Sequence, residues 1–252
     1  MKFISNIRPG LLVIAGLILF SCSNKTEEFV SEKLSEYLPL QPGKYITYRL
    51  DSLVFTSFGG MPVTHRYQVK HLVDAQITDN LGRPSYRVYT YIRDSAGTQP
   101  WEANGTYNVT PLATQTEVTE DNYRIIKLHL PIKEGFQWRG NTYLPDRPYY
   151  PAYDLLNHSD LKEWDFTYDV FESATSYRGN NYTNVYTVLE ADEHQNAPVT
   201  NLDALGYNTE SIEKYSKSVG LVYRKYEIWD YQTSPTKHYT GFGITQWMID
   251  HN

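Results

Sequence analysis

From Pro42 to the end, the chain is organised by a period of two. In "KYITYRLDSLVF" the residues Ile46, Tyr48, Leu50, Ser52 and Val54 alternate with Thr47, Arg49 and Asp51. In "HRYQVKHLVDAQITD" the residues Tyr67, Val69, His71, Val73, Ala75 and Ile77 alternate with Gln68, Lys70, Asp74 and Gln76. Further segments of this kind run through Tyr86–Arg93, Tyr123–Leu130, "TNVYTVLEAD", "GLVYRKYEIWDYQ" and the closing "GFGITQWMID". Such alternation places one set of side chains on a buried face and the other in water, which predicts β-strands. Turn residues such as Pro42-Gly43 and Asn80-Leu81-Gly82 separate the segments. Long helical segments, which parallel crossovers would need, are absent from the pattern, so the sheet is predicted to be antiparallel.

Several predicted strands exceed the usual five or six residues, and long strands in numbers twist and coil. The expected fold is mainly β: a single domain on a strongly curved antiparallel sheet or incomplete barrel. In that sheet Val69, Val73 and Ile77 on one strand, and Ile126, Leu128 and Leu130 on another, are expected in the core. Lys70, Asp74 and Lys127 are expected to face water. The interruption is "LPDRPYYPAYDLLNHSD", residues 144–160, whose three prolines and weak alternation predict a Pro/Tyr-rich loop capping one end of the sheet. Short helical turns are expected at Asp160–Trp164 and Asn201–Leu205, with Gly206 as a stop. The segment from Ser23 to Leu38 reads as a tether running into a short helical turn.

Residues 1–21 follow another grammar: Lys2 and Arg8 form a basic start, Leu11–Phe20 is uncharged and apolar, and Ser21 precedes Cys22. The apolar run is too short for a stable bilayer span, which needs roughly 20 residues. It suits a cleaved export signal. Leu19-Phe20-Ser21-Cys22 resembles the bacterial lipobox, with Phe20 where a small or β-branched residue is usual. That resemblance implies cleavage before Cys22, whose thiol already carries diacylglycerol, with three acyl chains in all, palmitate among them, holding the mature chain to a membrane. An ordinary secretory signal with an incidental cysteine, or a buried N-terminal helix of a cytosolic protein, are the competing readings. The following Ser23-Asn24-Lys25-Thr26-Glu27-Glu28 resembles the surface-export signal of Bacteroidota lipoproteins. It implies an outer-membrane, lipid-anchored protein, with surface exposure preferred to the periplasmic face. The domain plan is then 1–21 signal peptide, 22–38 lipidated tether and 39–252 β-rich domain.

Composition narrows the partners. The whole chain carries a formal charge of −6, and removal of residues 1–21, with two basic and no acidic side chains, takes it to −8. An acidic domain has no electrostatic reason to bind nucleic acid or a polybasic-dependent lipid surface. Cys22 is the sole cysteine, so no disulfide is available and the core must hold the fold unaided. The 23 tyrosines and 5 tryptophans outnumber the 9 phenylalanines. These amphipathic rings suit half-buried pleated surfaces, or platforms for flat ligands.

The search for chemistry returns little. Seven scattered histidines form no close metal pair, and His71 and His129 lie in strand patterns where a structural role is expected. The glycines of "SVGLVYR" and "GFGIT" lie inside or at the start of strands, where they signal a bulge or a close backbone approach rather than a phosphate loop. Carboxylate pairs such as Glu27-Glu28 and Asp192-Glu193 read as solvated charge. No catalytic residue, metal site or cofactor is assigned. Asp94-Ser95-Ala96 and Asp51-Ser52-Leu53 resemble the O-glycosylation acceptor of Bacteroidota exported proteins, Ser95 being the better placed in a turn. Tyr149, Tyr150, Tyr153 and Trp164 form a candidate aromatic surface for a glycan; the competing reading is that they pack the cap onto the sheet.

Three stretches carry a wider resemblance. "YLPLQPGKYITYRLDS", "YSKSVGLVYRKYEIW" and "GFGITQWMIDHN" are similar to the opening, inner and closing strands of uncharacterised Bacteroidota outer-membrane lipoproteins, with Ser218 where glycine is more usual. The resemblance implies a shared architecture and assigns no functional residue. The expected function is a non-catalytic binding or structural role in the cell envelope, with an envelope protein or a glycan as candidate partner. Two specific forms stay open: a carrier of an apolar ligand within a curved sheet, and a surface glycan-binding protein.

Overall fold

The computed structural model describes residues 32–56, 58–155, 160–177 and 179–252. After a one-turn helix, α1 (Leu34–Tyr37), six strands follow: β1 (Tyr45–Thr56), β2 (Met61–Thr78), β3 (Pro84–Asp94), β4 (Glu102–Pro111), β5 (Gln115–Glu120) and β6 (Tyr123–His129). A loop region holding the short β7 (Gln137–Arg139) and a 3-10 turn (Leu161–Glu163) leads to β8 (Asp165–Tyr177). The chain closes with β9 (Asn180–Gln195), β10 (Gly206–Ser216), β11 (Gly220–Gln232) and β12 (His238–His251).

The strands form one twelve-stranded antiparallel sheet in the order β6-β5-β4-β3-β2-β1-β12-β11-β10-β9-β8-β7. Two meanders of six strands are thus joined where the first strand pairs with the last, Tyr48 opposite Met248 and Leu50 opposite Gln246. The sheet curls until its edges meet. Ile126 N on β6 donates to Gly140 O just beyond β7 at 2.9 Å, and Trp138 Nε1 donates to Ile126 O at 2.8 Å. No ladder joins β6 to β7, so the barrel is nearly but not fully closed. The expected mainly-β, single-domain, incompletely closed antiparallel fold is the one found.

Inside the curl, one apolar cluster gathers Leu34 and Tyr37 of α1 with Leu128, Trp138, Phe166, Tyr168, Val188 and Ile228. A second holds Tyr48, Val69, Tyr182, Val185, Val222 and Met248. Burying each such side chain contributes about 1.5–3 kcal/mol, so these clusters dominate the stabilisation. Two glycines meet the backbone demands expected of them. Gly220 has φ +114° beside a register shift on β11 that leaves Val222 without a partner on β10. At Gly241, φ is +124° and an added Cβ would lie 2.2 Å from Ile228 O, so no side chain fits.

Other expectations are corrected. Ile126 and Leu128 are buried, but Lys127 between them is buried too, at 6 % exposure, rather than water-facing. The ladder pairs Leu128 with Thr116 and Ile126 with Glu117, so Lys127 is the extra residue of a bulge, and bulges redirect side chains. On β2, Val69 is in the core but Ile77 does not share its face. The ladder skips Asp74, pairing Val73 with Val88 and Ala75 with Arg87. Ile77 then opposes Ser85, three residues from Val88 and hence on the other side of the sheet. Val73 and Leu130 are only partly buried. Helical turns occur at Leu34–Tyr37 and Leu161–Glu163, but residues 201–205 form a turn instead of a helix. There the Asn196 side chain accepts at Oδ1 from Thr200 N and Asn201 N and donates from Nδ2 to Asn201 O, taking the carbonyl that a helix would use for its first bond.

Candidate functional site

The inner face of the first meander can be followed pair by pair. Tyr48 faces Val69, Val73 faces Val88, Val88 faces Tyr107 and Val109 faces Val118. Directly opposed residues share a side, so these rings and β-branched chains line one continuous wall. It does not meet the opposite wall everywhere. A cavity of about 100 Å³ remains, bordered by this wall, by Tyr215 and Leu221 of the second meander, and by Leu38–Leu40 of the segment that follows α1.

The polar side of the cavity is a network of buried charges. Lys127 Nζ lies 2.9 Å from Glu190 Oε1 and 2.8 Å from Glu213 Oε1. Glu190 also sits at a position the ladder skips, since Ser211 pairs with Ala191 and Ile212 with Leu189. Its second oxygen accepts from Ser211 Oγ. Glu213 faces Arg224 directly across β10 and β11, with Arg224 Nε 3.3 Å from Oε1, and its other oxygen accepts from Tyr215 OH. Burial pushes the Glu190 carboxyl above its ordinary range despite Lys127. Burial also acts to raise Glu213, but Lys127 and Arg224 together bring it below the ordinary value.

His71 and Tyr107 border the same space, with Nδ1 and OH 3.1 Å apart. Burial, reinforced by Arg224, lowers the His71 imidazole to about 4, so it is uncharged at neutral pH. Burial raises the Tyr107 and Tyr48 phenols, so both stay protonated. Tyr48 OH donates to Leu221 O at 2.8 Å and ties β1 to β11 across the interior. The arrangement can enclose a small group with an apolar body and a polar end. Among the described residues no three His, Cys, Asp or Glu side chains gather as a metal site.

The residues singled out from the sequence lie elsewhere. Cys22 is outside the described residues. Ser95 is exposed in the turn after β3, closed by Gly97 N donating to Asp94 O at 3.0 Å. Ser52 is partly buried in β1, laddered to β2 on one side and β12 on the other. Of the four cap aromatics, Trp164 is 9 % exposed and lies near Tyr226. Tyr149 shares a hydroxyl contact of 2.5 Å with Tyr226 and packs edge-on to Phe242, which Tyr153 also touches. Only Tyr150 stands out, 57 % exposed under the Arg147 guanidinium.

The cavity charges were not singled out from the sequence, yet a signal existed. Arg224 has the parity of Val222, Tyr226 and Ile228, and Glu190 that of Val188; a charge in an apolar register is the mark of a buried polar group. Lys127 gave no such mark, because its parity is the solvent one until the bulge is known.

No protein-family model matches the chain. Nor does any curated protein. Among solved structures, similarity is found to one described as an exported protein with a YmcC-like fold from Bacteroides fragilis, at 10% identity and a TM-score of 0.32 over 84% of this chain and 98% of that one. A DUF1329 family protein from Desulfovibrio piger is similar at 10% identity and a TM-score of 0.19, over 85% of this chain and 87% of that one.

Proposed function

We propose that this chain is a non-catalytic, lipid-anchored binding protein of the cell envelope, which holds a small ligand with an apolar body inside its incomplete barrel. The observation that carries the binding role is the cavity of about 100 Å³ between Tyr48, Val73, Val88, Val109, Val118 and Leu221. Protein interiors are normally filled to crystal-like density, so retained apolar space bordered by polar groups is the usual form of a ligand site. The envelope address is supported by the export grammar of residues 1–21 and by Cys22, with the Lys25–Glu28 stretch favouring display at the surface. Ser95, exposed in its turn, is the better-placed candidate for a glycan.

Methyl NMR of the chain carrying Cys22→Ser tests the binding role with n-butanol as a neutral probe. Saturable shifts are expected at the methyls of Val73, Val88, Val109 and Val118. If those methyls stay unmoved while surface methyls drift with solvent, the cavity is not a binding site and the proposal fails.

A further inference from the structure

Resting on the reading of the cavity as a ligand site, we propose that its ligand is a small monocarboxylic acid with a short apolar tail, and that Arg224 receives the carboxylate. The charges around the space balance in number: Lys44, Lys127, Arg224, Glu120 and Glu213 border it, and Glu190 pairs with Lys127 beside it. Their engagement in hydrogen bonds differs. Glu213 is saturated, one oxygen taken by Lys127 and Arg224 and the other by Tyr215 OH. Lys127 is held by Glu190 and Glu213.

Arg224 pairs with Glu213 through Nε at 3.3 Å, lies over the Tyr226 ring at 5.8 Å, and feels the charges of Glu120 and Glu190. Among the described residues its two Nη nitrogens make no hydrogen bond. With 21 % of its side chain accessible, the guanidinium presents those donors to the space it borders. A guanidinium's paired N–H groups match a carboxylate in bidentate geometry, and a site with surplus donors selects an acceptor. Val73, Val88, Val109 and Val118 line the same space and give a ligand's other end an apolar surface beside the His71–Tyr107 pair. The volume limits the tail. A cavity of roughly 150 Å³ holds the six heavy atoms of a benzene ring, so about 100 Å³ takes about four, the carbon chain of a four-carbon acid whose carboxylate oxygens reach the guanidinium.

The test compares butyrate with n-butanol on the full chain carrying Cys22→Ser, by methyl NMR at pH 7. The wild-type cavity is expected to bind butyrate at least about tenfold more tightly than n-butanol, in line with the 1.5–3 kcal/mol of a charge-assisted hydrogen bond. Arg224→Gln should abolish that preference, bringing the butyrate affinity down to that of n-butanol or below it. Arg224→Lys keeps the charge without the fork and should retain only part of the preference; it serves if the Gln variant does not fold. Binding of n-butanol with no preference for butyrate overturns the assignment of the carboxylate and leaves the cavity reading standing. A preference that survives Arg224→Gln overturns the role of Arg224. If neither probe binds, the cavity reading and this inference fall together.

Discussion

Lys127 and Glu190 each occupy a position that the strand ladder skips, and their side chains meet inside the barrel with Nζ and Oε1 2.9 Å apart. Two bulges on strands far apart in sequence are needed to make this one contact. Removing the cation leaves Glu190 without its ion-pair partner and Glu213 with Arg224 alone. Lys127→Ala is therefore expected to destabilise the domain by about 3–5 kcal/mol, the cost of stripping one partner from a buried pair. Urea melts measure it directly. A loss below about 0.5 kcal/mol would show the position behaving like a surface site. The double variant with Glu190→Gln should recover part of the loss, since one unpaired carboxylate is then neutral.

Leu128, the next residue, tests packing without charge. It is 1 % exposed in the cluster that joins β6 to Trp138 and Tyr168. Leu128→Ala should cost about 2–5 kcal/mol through lost burial and the void left behind. Equal midpoints for this variant and wild type in urea would mean that the seam between β6 and β7 is not packed as described.

His71 makes stability depend on pH. Its imidazole is lowered to about 4 by burial and by Arg224, whereas in the unfolded chain it titrates near the ordinary value of about 6.5. The unfolded state therefore binds the proton first. The contribution of neutral His71 is present in full above about pH 6.5, fades as pH falls, and is gone below about pH 4, a total on the order of 3 kcal/mol. His71→Gln cannot titrate, so its stability should fall less than that of wild type between pH 7 and 4. Parallel slopes for the two proteins in chemical melts would contradict the buried neutral imidazole.

Cys22 is the anchoring residue of the proposal. Cells expressing the chain should incorporate labelled palmitate into it, and Cys22→Ser should abolish the label and leave an uncleaved or soluble species. Several buried acyl chains, at about 0.8 kcal/mol per CH₂, make attachment effectively permanent. Absence of label on the wild-type chain would remove the lipoprotein address, though not the fold.

By itself the sequence determined β1, β2, β3, β6, β9, β11 and β12, the antiparallel pairing, the Pro-rich excursion after Leu144 and the glycines that admit close backbone approach, leaving β4, β5, β7, β8 and β10 unread. These follow from local rules: side chains alternate along a strand, and proline or a residue at positive φ ends or bends it. Only the tertiary structure decided which face each residue uses beyond a bulge. Asp74 reverses the faces of β2 before Ile77, and the bulge at Lys127 carries a lysine of solvent parity into the interior. A bulge is set by the register of the neighbouring strand, which comes from elsewhere in the chain, so no reading of one strand alone can locate it. The same holds for the cavity. Tyr48, Val88, Glu213 and Arg224 border one space because β1 pairs with β12 and the sheet curls until its edges meet, a closure that depends on the whole molecule.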